Sequence, residues 1–274
     1  MAGPVTPDNP ATTADSAQAP AGTLTEDVFL GGALSILQPK AGYRAGLDAV
    51  LLAAALRASG SERVLDMGAG VGVAGLAAAY RLSGIRVTLV EQDVALVEIA
   101  RRNIARNAMN KRVDAIAADV TQPLGACPEL HALAERFDHM LANPPYIVEG
   151  RGTAAGDATK AAAHAMPHGD LDRWMRFAAS MLRPAGTVTL IHRAEALAEV
   201  LAALEGRFGD ARVLPIHPFA GKSASRILVR GTKASRAPLV LLHPIILHEA
   251  DRSFRADIDA VLRRGAALDA FAEC

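Results

Sequence analysis

Two short stretches hold residues whose types and spacing do chemistry: Asp66-Met67-Gly68-Ala69-Gly70-Val71-Gly72 and Asn143-Pro144-Pro145-Tyr146. In the first, glycines lacking a Cβ let backbone N–H groups approach a ligand closely, and the helix expected next turns its positive end the same way. Gly70, Gly72 and Gly75 satisfy a G-x-G-x-x-G spacing, with Glu91 about 20 residues beyond, so the turn alone suits a dinucleotide equally well. Asp66 separates the two ligands. A carboxylate at a strand tip repels a pyrophosphate but accepts hydrogen bonds from a cationic amine. A nucleoside with an amino group and no phosphate, S-adenosyl-L-methionine, meets that condition.

Two further acids fall at the ends of the next two strands. Glu91 is placed to take both ribose hydroxyls, and Asp119, in Ala117-Ala118-Asp119-Val120, to accept from an adenine amine. Each acid taken singly is equally a helix cap or turn residue. In the second stretch, consecutive prolines fix φ and keep the chain extended, so that carbonyls face a ligand. The Asn143 side-chain oxygen and the Pro144 carbonyl would hold both N–H groups of an exocyclic amine and turn its lone pair toward a methyl donor. Tyr146 offers a face for stacking a base or planar amide. The alternative is a strand end closed by Pro-Pro with Tyr146 as an anchor.

These residues need a scaffold with several strand ends on one edge. Short apolar runs alternating with helical spacing supply it: Val64–Met67, helix Val73–Leu82, Arg86–Glu91, helix Val94–Ala108, Val113–Ala117, Phe137–Ala142, helix Leu171–Leu182 stopping at Pro184, and Thr187–His192. The alternation predicts five parallel strands in a doubly wound α/β sheet. After a helix at Ala194–Leu204, the strands Arg212–Ile216 and Arg226–Gly231 are too close in sequence for a helical crossover and must pair antiparallel. Ahead of the sheet, Val28-Phe29-Leu30 and Ala33–Leu37 flank a two-residue Gly31-Gly32 turn, and Asp48–Arg57 has helical spacing with Asp48 charging its first turn. After Pro238, apolar runs at Leu239–Leu242 and Ile245–Leu247 and a helix at Phe254–Leu262 should pack on the sheet edge.

The chain has 274 residues, 29 basic and 29 acidic, so its net charge argues neither for nor against nucleic acid. Residues 1–25, rich in Pro, Ala and Thr, read as a disordered tail without the features of a signal peptide, and residues 26–274 as one domain. No apolar run spans a bilayer. Cys127 and Cys274 stand alone, which suits a reduced cytoplasmic setting and gives no metal site.

At the residues quoted above, the chain resembles class I amino-methyltransferases with an (N/D)PP(Y/F) motif. It is most similar to the bacterial tRNA1(Val) (adenine-N6)-methyltransferases. Gln38–Asp48, Asn143–Tyr146 and the late stretch from His217-Pro218 to Ser225–Val229 carry that likeness. The resemblance implies a Rossmann-like methyltransferase fold, mostly parallel with a late antiparallel pair, S-adenosyl-L-methionine as cofactor, tRNA as substrate, and a monomer. It implies that Tyr43, Arg44, Gly46 and Asp48 close over the methionine end, that Asp66, Gly68 and Gly70 hold the cofactor, and that Glu91 binds ribose and Asp119 adenine. Asn143 and Tyr146 would hold the target, with Asn143 also facing the cofactor.

Alternatives are a glutamine N5-methyltransferase of a release factor, an rRNA guanine-N2 or adenine-N6 methyltransferase, and a nucleotide-binding oxidoreductase. The oxidoreductase is disfavoured by Asp66, by Asn143–Tyr146 and by the late antiparallel pair. Lys222, Arg226, Arg230, Lys233 and Arg236, with Arg151 and Lys160, form either a phosphate-contacting row or a solvated face. His164 and His168 read as loop residues, and His217, His243 and His248 as structural. Arg101, Arg102, Arg106 and Lys111 read as solubility residues behind the sheet.

Overall fold

The computed structural model describes residues 24–41, 44–145 and 170–271. The tail assigned to residues 1–25 therefore lies almost wholly outside the described residues, as do Tyr43, Tyr146, Arg151, Lys160, His164, His168 and Cys274. The described chain opens at Leu24 with a hairpin of β1 (Leu24–Phe29) and β2 (Leu34–Pro39). Its antiparallel register pairs Phe29 with Leu34. The connection is four residues rather than the two-glycine turn expected, because Leu30 as well as Gly31 and Gly32 takes positive φ in a short 3-10 turn. Leu30 is buried, so its side chain anchors the loop at the cost of an unusual backbone.

Helix α1 (Leu47–Ala55) leads to the alternating series β3 (Arg63–Met67), α2 (Val73–Arg81), β4 (Arg86–Glu91), α3 (Val94–Arg106), β5 (Val113–Ala117), α4 (Pro128–His131) and β6 (Phe137–Ala142). After residue 169 come α5 (Asp170–Met181), β7 (Leu182–Arg193), α6 (Leu197–Leu204), β8 (Phe208–Phe219), β9 (Arg226–Lys233), β10 (Val240–Leu241), β11 (Ile245–His248) and α7 (Ala256–Arg264). Among the described residues they build a nine-stranded sheet ordered β5-β4-β3-β6-β7-β9-β8, with β10 and β11 along the outer side of β8. The five strands β3 to β7 are parallel, as the alternation predicts. Strand β9 inserts between β7 and β8 and runs antiparallel to both.

Strands β7 and β8 are longer than the apolar runs alone suggested. In β7, Leu182 already pairs with Phe137, and the ladder resumes at Thr187 after an irregularity that takes up Pro184 and the left-handed Ala185 (φ 62°). A proline is tolerated there because the local ladder is interrupted.

The hairpin is fastened to the sheet layer by two amides, one on α3 and one at its C-cap. Asn103 donates to the Leu37 carbonyl (3.0 Å) and the Val71 carbonyl (3.0 Å), and accepts the Leu37 N–H (2.8 Å). One turn later Asn107 accepts the Ser35 N–H (3.1 Å) and donates to the Ser35 carbonyl (2.8 Å). Spaced i, i+4, these carboxamides act toward β2 as a neighbouring strand edge would. Asn103 is fully buried. Asn103→Leu keeps its shape but strands the Leu37 N–H and two carbonyls, so urea unfolding should show a loss of about 2–5 kcal/mol.

Candidate active site

The parallel register sets the strand ends side by side. Asp66 and Met67 at the end of β3 pair with Leu89 and Val90 on β4 and with Leu141 and Ala142 on β6, while Glu91 pairs with Ala117 on β5. The four segments that follow, at Gly68, Gln92, Ala118 and Asn143, therefore leave one edge of the sheet, the carboxyl edge where open α/β sheets bind ligands.

Gly68, Gly70 and Gly72 all adopt left-handed φ, 67°, 56° and 91°. The turn is pinned to β4 by the Ala69 N–H on the Val90 carbonyl (2.9 Å). Two carboxylates clamp it, one from β3 and one from β4. Asp66 Oδ2 accepts the Gly75 N–H of α2 (2.8 Å), and Glu91 Oε2 accepts the Gly70 N–H (2.9 Å) while its Oε1 takes the Asp93 N–H (3.0 Å). Gly75 allows this approach, since a Cβ there would lie 2.3 Å from Leu89 Cδ2 and 3.0 Å from Asp66 Oδ2. Asp66, expected to meet a ligand amine, is only 2% exposed and anchors the helix with one oxygen. Burial pushes its carboxyl up to about 7, against the Gly75 hydrogen bond and with help from the nearby Glu91 charge.

Asp119 follows β5. Its Oδ1 accepts from the Thr121 N–H (2.8 Å) and hydroxyl (2.7 Å), and Oδ2 from Gln122 Nε2 (3.2 Å). Partial burial raises its pKa, but these bonds and the Arg173 charge outweigh that and hold it below the usual carboxylate range. Asp119 borders a cavity of about 490 Å³ whose walls include Ala118, Gln122, Leu130, Phe177 and Arg101. Arg101 is thus not remote from the active edge. Its guanidinium reaches the Ala115 carbonyl (3.1 Å) and walls the Asp119 cavity, because α3 packs close to β5. Arg106 likewise has a structural task, donating to Ser35 Oγ (2.5 Å) and pairing with Glu26 of the hairpin.

Asn143-Pro144-Pro145 leaves β6 beside the glycine turn, with Pro144 buried and the Asn143 carboxamide oxygen shielded from solvent. Gly46 caps α1 from an exposed position. Arg44 and Asp48 are held by partners within the fold. Arg44 pairs with Asp27 of β1 and donates to Thr25 Oγ1 (2.6 Å), and Asp48 receives Arg226 Nε of β9 (3.0 Å). The row of late basic residues is largely internal. Beyond Arg226, Arg230 stacks 4.3 Å over the Phe271 ring and is drawn down to about 10 by burial, and Lys233 binds Glu135 (2.9 Å) and the Leu182 carbonyl (2.6 Å). Of that row, Lys222 and Arg236 are exposed.

Sequence reasoning missed Trp174 and Arg173 on α5, and Asn103 on α3. Leu171, Trp174, Met175 and Ala178 read only as the apolar face of a helix, and nothing in that spacing says which strand end the face covers.

A profile of the methyltransferase small domain family matches residues 45–217. The chain belongs to that family. It is 30% identical over 196 residues to a tRNA1(Val) (adenine(37)-N6)-methyltransferase of Shewanella baltica, covering 68% of this chain and 76% of the relative. It is 26% identical over 200 residues to the Bacteroides thetaiotaomicron protein of the same name, covering 72% and 80%. A release factor glutamine methyltransferase of Chlorobaculum tepidum is 29% identical over 170 residues, covering 60% and 56%. Among solved structures, a predicted O-methyltransferase of Agrobacterium tumefaciens superposes with a TM-score of 0.67 at 33% identity, covering 80% of this chain and 97% of that one. The class I methyltransferase fold and the family make this an enzyme that uses S-adenosyl-L-methionine. The edge fits that cofactor: the left-handed glycines expose backbone, nothing lies within 4 Å of where a Cβ of Gly70 would sit, and the charged side chains bonded to the glycine turn and the start of α2 are the carboxylates of Glu91 and Asp66.

The stability contributed by the buried Asp66 proton is complete below the unfolded value of 3.8 and is lost as the pH rises through about 7, since the folded state holds a proton that the unfolded chain has released. Asp66→Asn should therefore gain on the wild type between about pH 5 and about pH 8, by at most about 3 kcal/mol. Urea unfolding at both pH values checks this. A difference that does not change with pH contradicts it.

Proposed function

We propose that this protein transfers a methyl group from S-adenosyl-L-methionine to the exocyclic N6 of an adenine in tRNA. The observation that carries the reading is the position of Asn143-Pro144-Pro145, which leaves β6 directly beside the glycine turn that follows β3. When bound, the cofactor supplies a methyl group on a positively charged sulfur. Glu91 is assigned to the ribose, Asp119 and its cavity to the adenine, and the Gly68–Gly70 backbone to the amino acid end, with Tyr43, Arg44, Gly46 and Asp48 closing over it. Asp66 supports that end from behind through α2.

On the acceptor side, the Asn143 side-chain oxygen and the Pro144 carbonyl hold the two N–H groups of the target amine, and Pro145 keeps the segment extended. Localising the nitrogen lone pair in this way replaces a strong base; as the N–C bond forms and the methyl–sulfur bond breaks, the nitrogen sheds one proton to solvent. Tyr146 is assigned to stacking on the base. The acceptor-pair chemistry favours a planar nitrogen over an oxygen, whose single proton would leave one acceptor unused. The proposal includes a cytoplasmic, monomeric enzyme that needs no metal.

The match to a release factor glutamine methyltransferase favours a second reading, a primary amide as acceptor, since that nitrogen is equally planar. Incubation with labelled cofactor and either total tRNA or purified release factor separates the two. Label is expected in tRNA as N6-methyladenosine by nucleoside mass spectrometry, and label confined to the protein overturns the proposal.

Asn143→Ala is expected to leave cofactor affinity, measured by calorimetry, within about 3-fold, while raising the barrier to transfer by about 2–4 kcal/mol. Normal turnover with weakened cofactor binding would contradict the role given to Asn143.

A further inference from the structure

Helix α5 is the first described element after Asn143-Pro144-Pro145, and its Trp174 packs on the glycine turn. The indole of Trp174 occupies the space a side chain at position 68 would need: a Cβ on Gly68 would lie 2.3 Å from Trp174 Cη2 and 3.1 Å from Cζ3. Gly68 is left-handed at φ 67°, so ring and turn fit each other only with glycine there. Trp174 is 6% exposed and belongs to one apolar cluster with Met67, Val120 and Ala142, the residues adjoining Gly68, Asp119 and Asn143 in sequence. On the same turn, Arg173 pairs with Asp170 (2.7 Å) and its charge acts on Asp119.

We infer that Trp174 is a positioning residue for the cofactor turn: its ring fixes the Gly68 backbone and thereby sets the affinity of the donor site. This rests on reading the edge as the S-adenosyl-L-methionine site. The physical basis is stiffness. A left-handed glycine turn has little of its own, and a large rigid ring packed on it removes the alternative backbone conformations that a ligand would otherwise have to exclude.

Trp174 is the single tryptophan of the chain, so emission excited at the red edge, where its three tyrosines do not absorb, reports on this ring. Titration of the wild-type enzyme with S-adenosyl-L-methionine should change Trp174 emission with the same Kd that calorimetry gives. Trp174→Ala should raise that Kd about 10-fold or more, with kcat at saturating cofactor held within about 3-fold, and Trp174→Phe should restore most of the affinity. A ring that only stabilised the fold would lower the active fraction and apparent kcat while leaving Kd in place.

Calorimetric binding with unchanged emission, or an unchanged Kd in Trp174→Ala, overturns the inference and leaves the donor site standing. Absence of cofactor binding to the wild type overturns the donor-site reading itself. Should Trp174→Ala fail to fold by circular dichroism, the wild-type emission titration decides: a matching change supports the inference, and unchanged emission overturns it.

Discussion

The glycine turn between β3 and α2 is held by two carboxylates, one from β3 and one from β4, and most of what this edge presents follows from that clamp. Asp66 reaches inward to the Gly75 N–H and ties the start of α2 to the tip of β3, while Glu91 reaches across from β4 to the Gly70 N–H. A side chain at Gly75 would press on the Asp66 carboxylate and Leu89, and Gly70 presents its N–H to Glu91 from a left-handed backbone. The turn is thereby kept open, with its backbone toward the edge and its side chains few.

Electrostatics explains why the inner clamp is unlike the outer one. Asp66 has only one backbone N–H to compensate its burial, and the nearby Glu91 charge adds to that burial, so its carboxyl is driven toward the neutral form. Asp119 receives three hydrogen bonds and the field of Arg173, which overcome its partial burial and keep it ionised. Two acids that look alike as residues after or within a short apolar strand thus differ in charge because their surroundings differ.

The fold spends much of its cationic side-chain inventory on cohesion. Arg44, Arg106, Arg226, Arg230 and Lys233 each tie together separate elements, the segment before α1 to the hairpin, the hairpin to α3, β9 to α1, and β9 to the chain near β6 and β7. Of the late basic row, Arg226, Arg230 and Lys233 are therefore committed to partners within the fold, while Lys222 and Arg236 stay exposed.

Apolar periodicity and chain economy were enough to determine the parallel series and the antiparallel pairing of β9 with β8, because a loop as short as 220–225 permits no helical crossover, whereas the insertion of β9 between β7 and β8 was not legible. The glycine turn, the acids at three strand ends and the Asn-Pro-Pro segment were legible because their backbone demands are local. The four-residue hairpin loop, the lengths of β7 and β8, the cavity beside Arg101, the carboxamide ladder of Asn103 and Asn107, and the seat of Trp174 on Gly68 were not. Each depends on which face of one element meets which face of another, and residues some 32 to 106 positions apart in the chain carry no mutual signal until packing brings them within van der Waals reach.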